Sequence, residues 1–233
     1  MAKVSIIIPA YQSEHCIDKT IEILIQNYIT DIENKEKEII VVNDGSNDRT
    51  QEILEKYQKF ITIIKNEKNM GRGFSVRRAY LSTNSEYALF TDADLPYGID
   101  SINRLIEKLK QGSLAVVGQR DNIEHNLLRK ITHWGFLMCT KIILGVNFKD
   151  TQCGLKGFKT EIIQKISKIA ISNRFAFEVE TMYLLQKMNI PIDILKVPPA
   201  DYSHSTIKLK DIVSMLVDLL KIKYHKYNIS KLS

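Results

Sequence analysis

Apolar residues fall along this chain in two rhythms. Residues 4–10, 38–43, 61–65 and 87–91 are short runs rich in Ile, Val and aromatic side chains, with little polar alternation. Such runs read as strands buried on both faces. Between and after them, residues 18–28, 50–57, 74–81 and 99–110 carry apolar positions at helical spacing. Strand and helix alternating in this way predict a mainly parallel sheet with helices on both faces, and residues 114–118 add a fifth strand.

The second half is less regular. Residues 124–144 read as one long helix or two, and 150–158 as a glycine-containing loop leading into a strand. Residues 160–167 and 177–188 read as helices and 191–197 as a further strand, and Pro198-Pro199 ends the compact part. Residues 205–227 predict a terminal helix. No linker separates independent domains, so the expected division is one domain over 1–204 and a basic amphipathic helix and tail over 205–233.

Composition changes this picture little. A chain of 233 residues with 44% hydrophobic and 26% charged residues suits one large globular domain and excludes collagen-like, disordered and cysteine-scaffold classes. Cys16, Cys139 and Cys153 show no C-x-x-C spacing, which argues against a disulfide framework or structural zinc and for a reducing compartment. No run reaches the roughly 20 apolar residues that span a bilayer; the best, 134–146, is interrupted by Lys141. Residues 4–10 are too short for the apolar region of a signal peptide and read as the first strand.

Charge matters more at the C-terminus. The formal net charge is +6, and residues 208–233 hold six lysines against Asp211 and Asp218. A basic end of this kind suits an anionic surface or a solvated helix face. It carries no recognisable nucleic-acid-binding module, so no nucleic-acid partner is expected.

In an open parallel sheet, ligands bind beyond the carboxyl ends of the strands. The polar residues of this chain gather there: Pro9-Ala10-Tyr11-Gln12 after the first strand, Asn43 to Asp48 after the second, Asn69-Met70-Gly71-Arg72-Gly73 after the third, Asp92-Ala93-Asp94 after the fourth and Gln119-Arg120 after the fifth. Five such loops together make a site. Asp92 and Asp94 are its sharpest feature. In extended chain, carboxylates at i and i+2 point to one side, and hard oxygen ligands suit Mg²⁺ or Mn²⁺ bridging phosphate oxygens. Gly71-Arg72-Gly73 is an incomplete dinucleotide fingerprint, with Val76 at the third glycine position; it suits close backbone approach to a nucleotide, with Arg72 and Arg77 near anionic groups.

Taken in order, Val4-Ser5-Ile6-Ile7-Ile8-Pro9-Ala10-Tyr11, Val42-Asn43-Asp44-Gly45-Ser46-Asn47-Asp48-Arg49-Thr50, Asn69 to Gly73 and Thr91 to Asp94 resemble the inverting glycosyltransferases of family 2. Further on, Gly118-Gln119-Arg120, Arg129, the stretch Asp150-Thr151-Gln152-Cys153-Gly154-Leu155-Lys156-Gly157-Phe158 and Phe175-Ala176-Phe177-Glu178-Val179-Glu180 are similar to polyprenyl-phosphate (dolichyl-phosphate) sugar synthases. The Asp-Thr-Gln-Cys-Gly stretch resembles the β-glucosyl branch more than the mannosyl branch.

The resemblance implies an α/β protein of the GT-A fold, a mainly parallel Rossmann-like sheet flanked by helices, with a C-terminal amphipathic helix. It implies inverting transfer of a hexose from a nucleotide diphosphate sugar, UDP-glucose in the first place, to polyprenyl phosphate. Pro9, Ala10 and Tyr11 would form the base pocket and Asp44 would hold base or ribose, with Gly71, Arg72 and Arg77 also on the donor side. Asp92 and Asp94 would position the metal and diphosphate. Arg120 and Arg129, helped by His133, would bind the acceptor phosphate. Asp150 and its loop would lie near donor sugar and acceptor, so Asp94, Arg120, Arg129 and Asp150 are the residues expected closest to the chemistry.

This chain departs from the family pattern in three places. Gln12-Ser13 stand where Asn-Glu is usual, with Glu14 one place on. Pro96 stands where mannosyl members place a metal-neighbouring Gln, and the sequence stops short of the transmembrane helices that many relatives add after the catalytic domain. A phosphate acceptor is already anionic and needs no strong base, unlike an alcohol. The Glu-Asp and Gln-x-x-Arg-Trp motifs of saccharide-polymerising members are absent. A saccharide or cell-surface glycan acceptor, or a nonenzymatic sugar-nucleotide-binding protein, are the alternatives.

Glu178 and Glu180 sit at i and i+2 of a predicted helix and so do not share a face, which leaves at least one of them structural. The terminal helix has Asp211, Ser214, Asp218, Lys221 and His225 on one stripe and a wide apolar remainder. It packs on the domain or on a second copy, or it lies in an anionic membrane surface with its lysines snorkelling. The second alternative gives a cytoplasmic enzyme, peripheral on the inner face of the membrane.

Overall fold

The computed structural model describes residues 2–120, 127–199 and 209–229; of 127–133, 209–213 and 215 it describes only the course of the backbone. The described chain runs β1 (Val4–Ala10), α1 (Ile17–Glu33), β2 (Lys37–Asn43), α2 (Thr50–Lys56), β3 (Ile61–Lys65), α3 (Arg72–Ser82), β4 (Tyr87–Phe90), α4 (Gly98–Lys110), β5 (Ala115–Arg120), α5 (Leu127–Leu144), β6 (Lys156–Lys159), α6 (Thr160–Ile169), α7 (Ala176–Lys187), β7 (Asp193–Val197) and α8 (Leu209–Tyr224). Each predicted element is present within a few residues of its expected ends. The predicted 124–144 segment is a single helix over its described part, while 124–126 and 205–208 lie outside the described residues.

The strands form one sheet in the order β3-β2-β1-β4-β6-β5-β7. From β1 the chain steps outward through β2 to β3 and then returns to the other side of β1 for β4. That reversal of strand order is where a parallel sheet opens a crevice. Side chains of β1 alternate between two cores. Ile7 joins one with Val76, Tyr80, Phe158, Ile163 and Leu184 from α3, β6, α6 and α7. Ile6 and Ile8 join the other with Ile17, Ile21, Leu24 and Leu105 from α1 and α4. Burial on both faces is the physical cause of its uninterrupted apolar run.

β6 pairs antiparallel with both β4 and β5. The loop before it therefore arrives at the carboxyl edge of β4 and β5, beside the loops that follow the parallel strands. The alternation pattern marks a strand here but carries no sign of its direction. α8 packs against α5 and α7, placing Leu219 and Ile222 in the first core.

Candidate active site

Asp92 and Asp94 follow β4 directly. The expected extended arrangement is replaced by a turn, closed by the Asp92 carbonyl accepting from the Leu95 amide at 3.1 Å, with Leu95 at φ +50°. The chain must reverse from β4 into α4 within a few residues, and a straight segment cannot do that. Asp92 turns inward and is one-quarter exposed. Asp94 is exposed and lines a cavity of about 420 Å³ with His15, Cys16, Lys19 and Thr20.

Asp92 belongs to a row of buried charges. Arg72 Nη2 lies 2.5 Å from Asp92 Oδ1, and Arg72 Nε lies 3.1 Å from Glu178 Oε1. Lys156 Nζ lies 2.9 Å from the other Glu178 oxygen and donates to the Cys153 carbonyl. The Phe90 ring sits beneath both cations. Burial works against the Arg72 charge, but Asp92 and Glu178 outweigh it and raise the pKa above the ordinary arginine value. Arg72 opens α3 because Gly71, at φ +101°, turns the chain there. A side chain at Gly71 would meet the Asn173 carbonyl oxygen at 2.5 Å, so the loop before α7 seats directly on this turn.

The 150–155 loop lies against Asp92. Asp150 and Arg120 form a buried bidentate pair, Nε to Oδ2 at 2.5 Å and Nη2 to Oδ1 at 2.6 Å. Burial alone would raise the Asp150 pKa; the Arg120 guanidinium outweighs it and holds the carboxyl below the usual range. Gly154 donates its amide to the Tyr97 hydroxyl at 3.1 Å. A Cβ on Gly154 would stand 1.8 Å from Asp92 Oδ2, so only glycine lets this loop lie against the carboxylate.

Several expected site residues do structural work here. Asp44 is buried, and its carboxylate accepts from Asn66 Nδ2 at 2.7 Å, the Met70 amide at 2.9 Å and the Gly71 amide at 2.8 Å. It fixes the turn that carries Arg72. Arg77, expected beside the donor, instead donates to the Ala170 carbonyl and to Asn173 Oδ1, tying α3 to the loop before α7. Ala10 is buried and Tyr11 is half exposed at the same edge. The loops after β1 and β2 are stitched together: the Ser13 amide donates to Thr50 Oγ1 at 2.9 Å, and the Arg49 amide donates to Glu14 Oε2, also at 2.9 Å. Pro9, one residue before the end of β1, pairs with Val42 of β2 at the same edge. The side chains of Arg129 and His133, on α5, lie outside the described residues.

Glu178 and Glu180 diverge as their spacing requires. Glu180 is wholly buried and accepts from the Ile171 and Ser172 amides and from the Tyr227 hydroxyl. Of this pair the sequence marks only Glu178, as one of two diverging glutamates, and Lys156 not at all; the usable signal for both is a charge among apolar neighbours. The thiols of Cys16 and Cys153 are each pushed up to about 11, chiefly by burial, so both stay protonated and neither is an activated nucleophile.

At the carboxyl edge Asp92 and Asp94 can offer hard oxygens to a divalent cation and Arg72 a guanidinium to an anion beside it, next to the 150–155 loop whose Asp150 holds Arg120 at the end of β5. Residues 5–177 match the model of the family described as glycosyl transferase family 2. The chain is 30% identical over 241 residues to a dolichyl-phosphate beta-glucosyltransferase of Dictyostelium discoideum, covering 94% of this chain and 73% of that protein. It is 31% identical over 235 residues to one of Trichomonas vaginalis, covering 94% and 72%. In fold it resembles glucosyl-3-phosphoglycerate synthase of Mycobacterium tuberculosis, solved with Mn²⁺, uridine diphosphate and phosphoglyceric acid. The TM-score is 0.72 at 15% identity, covering 97% of this chain and 80% of that one. The GT-A architecture and the loop order thus agree with the sequence match, and the chain belongs to glycosyl transferase family 2 and is a glycosyltransferase.

Proposed function

We propose that the protein transfers glucose, with inversion, from UDP-glucose to a polyprenyl phosphate. The observation that carries this reading is the contact between Gly154 and Asp92, which joins the loop shared with lipid-phosphate sugar synthases to the aspartates expected at the donor. The names of the curated relatives support the acceptor and the sugar. The divalent cation fits the donor set: Asp92 and Asp94 offer hard oxygens, and Mg²⁺ or Mn²⁺ is commonly held by one or two carboxylates with phosphate oxygens completing the shell. Among the described residues no cluster of three His, Cys, Asp or Glu side chains stands ready to hold a metal without such help. When bound, the cation supplies positive charge to the departing diphosphate.

The chain's own residues do the rest. Arg72 offers a guanidinium to the diphosphate. Asp150 fixes the plane of Arg120, which with Arg129 orients an acceptor phosphate oxygen for in-line attack on the anomeric carbon. The acceptor oxygen is already ionised near neutral pH, so no general base is required.

The substrate class calls for a lipid surface. Among the described residues no helix is long and apolar enough to cross a membrane. Trp134, Met138 and Ile142 of α5 and Val217, Leu220 and Tyr224 of α8 are exposed, with Lys141, Lys221 and Lys223 exposed among them. We read these two packed helices as the face that meets an anionic membrane, with apolar side chains at the acyl boundary and lysines at the headgroups.

Purified protein supplied with radiolabelled nucleotide sugars and undecaprenyl phosphate tests the reading. Lipid-extractable label from UDP-glucose is expected. Transfer only to a saccharide or to a soluble phosphorylated acid would replace it.

A further inference from the structure

If Asp92 is a ligand for the divalent cation, its carboxylate already has a cation against it. Arg72 occupies Oδ1 at 2.5 Å. Neither Arg72 Nε nor Nη2 makes an aligned hydrogen bond, although both atoms are sealed from solvent. A buried guanidinium held by charge more than by directed hydrogen bonds is poised to exchange one oxyanion for another. Glu178 is the fixed end of this arrangement. It is buried on α7 and anchored by Lys156 at 2.9 Å, and Phe90 lies under Arg72 and Lys156 alike. Arg72 therefore keeps an anion and an aromatic face when it leaves Asp92.

The charges say what makes it leave. Arg72 and Lys156 balance two of the three carboxylates of Asp92, Asp94 and Glu178. A divalent cation arriving alone meets the Arg72 charge at the carboxylate it needs. A diphosphate arriving alone meets Asp92 and Asp94. Arriving together, the cation and the doubly charged diphosphate of a nucleotide sugar leave the local charge unchanged: the cation takes Asp92 and the diphosphate takes Arg72.

We infer that Arg72 is the internal counter-ion of Asp92, exchanged for the divalent cation when the nucleotide diphosphate arrives, so that cation and nucleotide bind cooperatively. The inference rests on the donor site proposed above. Because such coupling is reciprocal, each ligand tightens the other by the same factor.

Calorimetric titration of the full chain with Mn²⁺, alone and with saturating UDP or GDP, tests it. Mn²⁺ is expected to bind about tenfold or more tighter with the accepted nucleotide, within the ordinary range of such coupling. Oxygens of the diphosphate would tighten Mn²⁺ in any case, so the discriminating result is the sign of the change in Arg72→Gln. Without the stand-in cation, Mn²⁺ alone should bind several-fold tighter than to the wild type, while nucleotide binds about tenfold weaker and the coupling shrinks. Arg72→Lys, which keeps the charge, should leave Mn²⁺ alone as weak as in the wild type. Unchanged or weaker Mn²⁺ binding in Arg72→Gln overturns the inference. So does a wild type that binds Mn²⁺ and nucleotide independently, a result that needs no variant to fold and leaves the donor site standing. A wild type that binds Mn²⁺ under neither condition overturns both the inference and the donor site beneath it.

Discussion

Asp92 and Asp94 each place a hard carboxylate at the carboxyl edge, and the proposed chemistry asks both for charge as well as shape. Asp92→Asn or Asp94→Asn keeps the shape and removes the charge. Transfer should fall by about 10²-fold, and chelator should stop the wild type; full turnover in EDTA would refute the metal role. Gly154→Ala puts a methyl group 1.8 Å from Asp92 Oδ2, and neither neighbour can yield without moving its loop. It should cost about 1–3 kcal/mol in urea unfolding and lower transfer with it. Asp150 gives a pH signature. Arg120 depresses its pKa in the folded state, so the pair stabilises the protein fully above the ordinary carboxylate pKa. That contribution is lost as pH falls through the lower folded value. Asp150→Asn leaves Arg120 buried beside a neutral amide and should cost about 3–5 kcal/mol at neutral pH. Urea midpoints of variant and wild type should converge as the medium is acidified.

At the scale of elements, α7 explains why two glutamates survive in an apolar helix. Every residue from Ala176 to Leu185 is buried, so neither carboxylate can reach bulk water and each must be answered inside. Glu178 is answered by Arg72 and Lys156. Glu180 is answered by the Ile171 and Ser172 amides at 2.8 Å each and by the Tyr227 hydroxyl at 2.6 Å. It thereby fixes the loop that Arg77 also grips and on which Gly71 rests. Glu180→Ala strands one buried and one part-buried amide and should destabilise by about 2–4 kcal/mol in urea titration, each unsatisfied donor costing about 1–3 kcal/mol. Tyr227→Phe removes one hydrogen bond and should cost about 1–2 kcal/mol.

The whole molecule carries α5 and α8 together on one side of the sheet. Leu219 and Ile222 are fully buried, so removing α8 would open the core as well as take away a surface. Substitution at exposed positions separates the two effects. Replacing Trp134, Ile142 and Leu220 by Ser should release the protein from anionic liposomes while leaving the thermal midpoint within a few degrees, because these side chains face outward. Raised salt should weaken but not abolish wild-type binding, since lysine attraction is screened and apolar insertion is not. Liposome binding by the triple variant equal to wild type would place the lipid contact elsewhere.

The pattern of apolar residues is enough to read the alternation of elements, because burial on both faces of a sheet demands uninterrupted apolar strands and helices with one apolar stripe. The sequence also marks the carboxyl-edge loops, since glycines and acids have few other reasons to cluster after buried strands. What those residues touch depends on how the elements pack. The direction of β6 depends on where the preceding loop enters, a long-range fact with no local signature. Nothing along the chain tells Arg72 at the start of α3, Arg77 within it and Arg120 at the end of β5 apart in role. Packing gives them a carboxylate of the site, a carbonyl of another loop and a buried aspartate as partners. Glu178 and Lys156 lie 22 residues apart in sequence. They meet because the fold brings Glu178 of α7 to the start of β6, where Lys156 lies over the Phe90 ring, and a buried charge is legible only once its partner is in place.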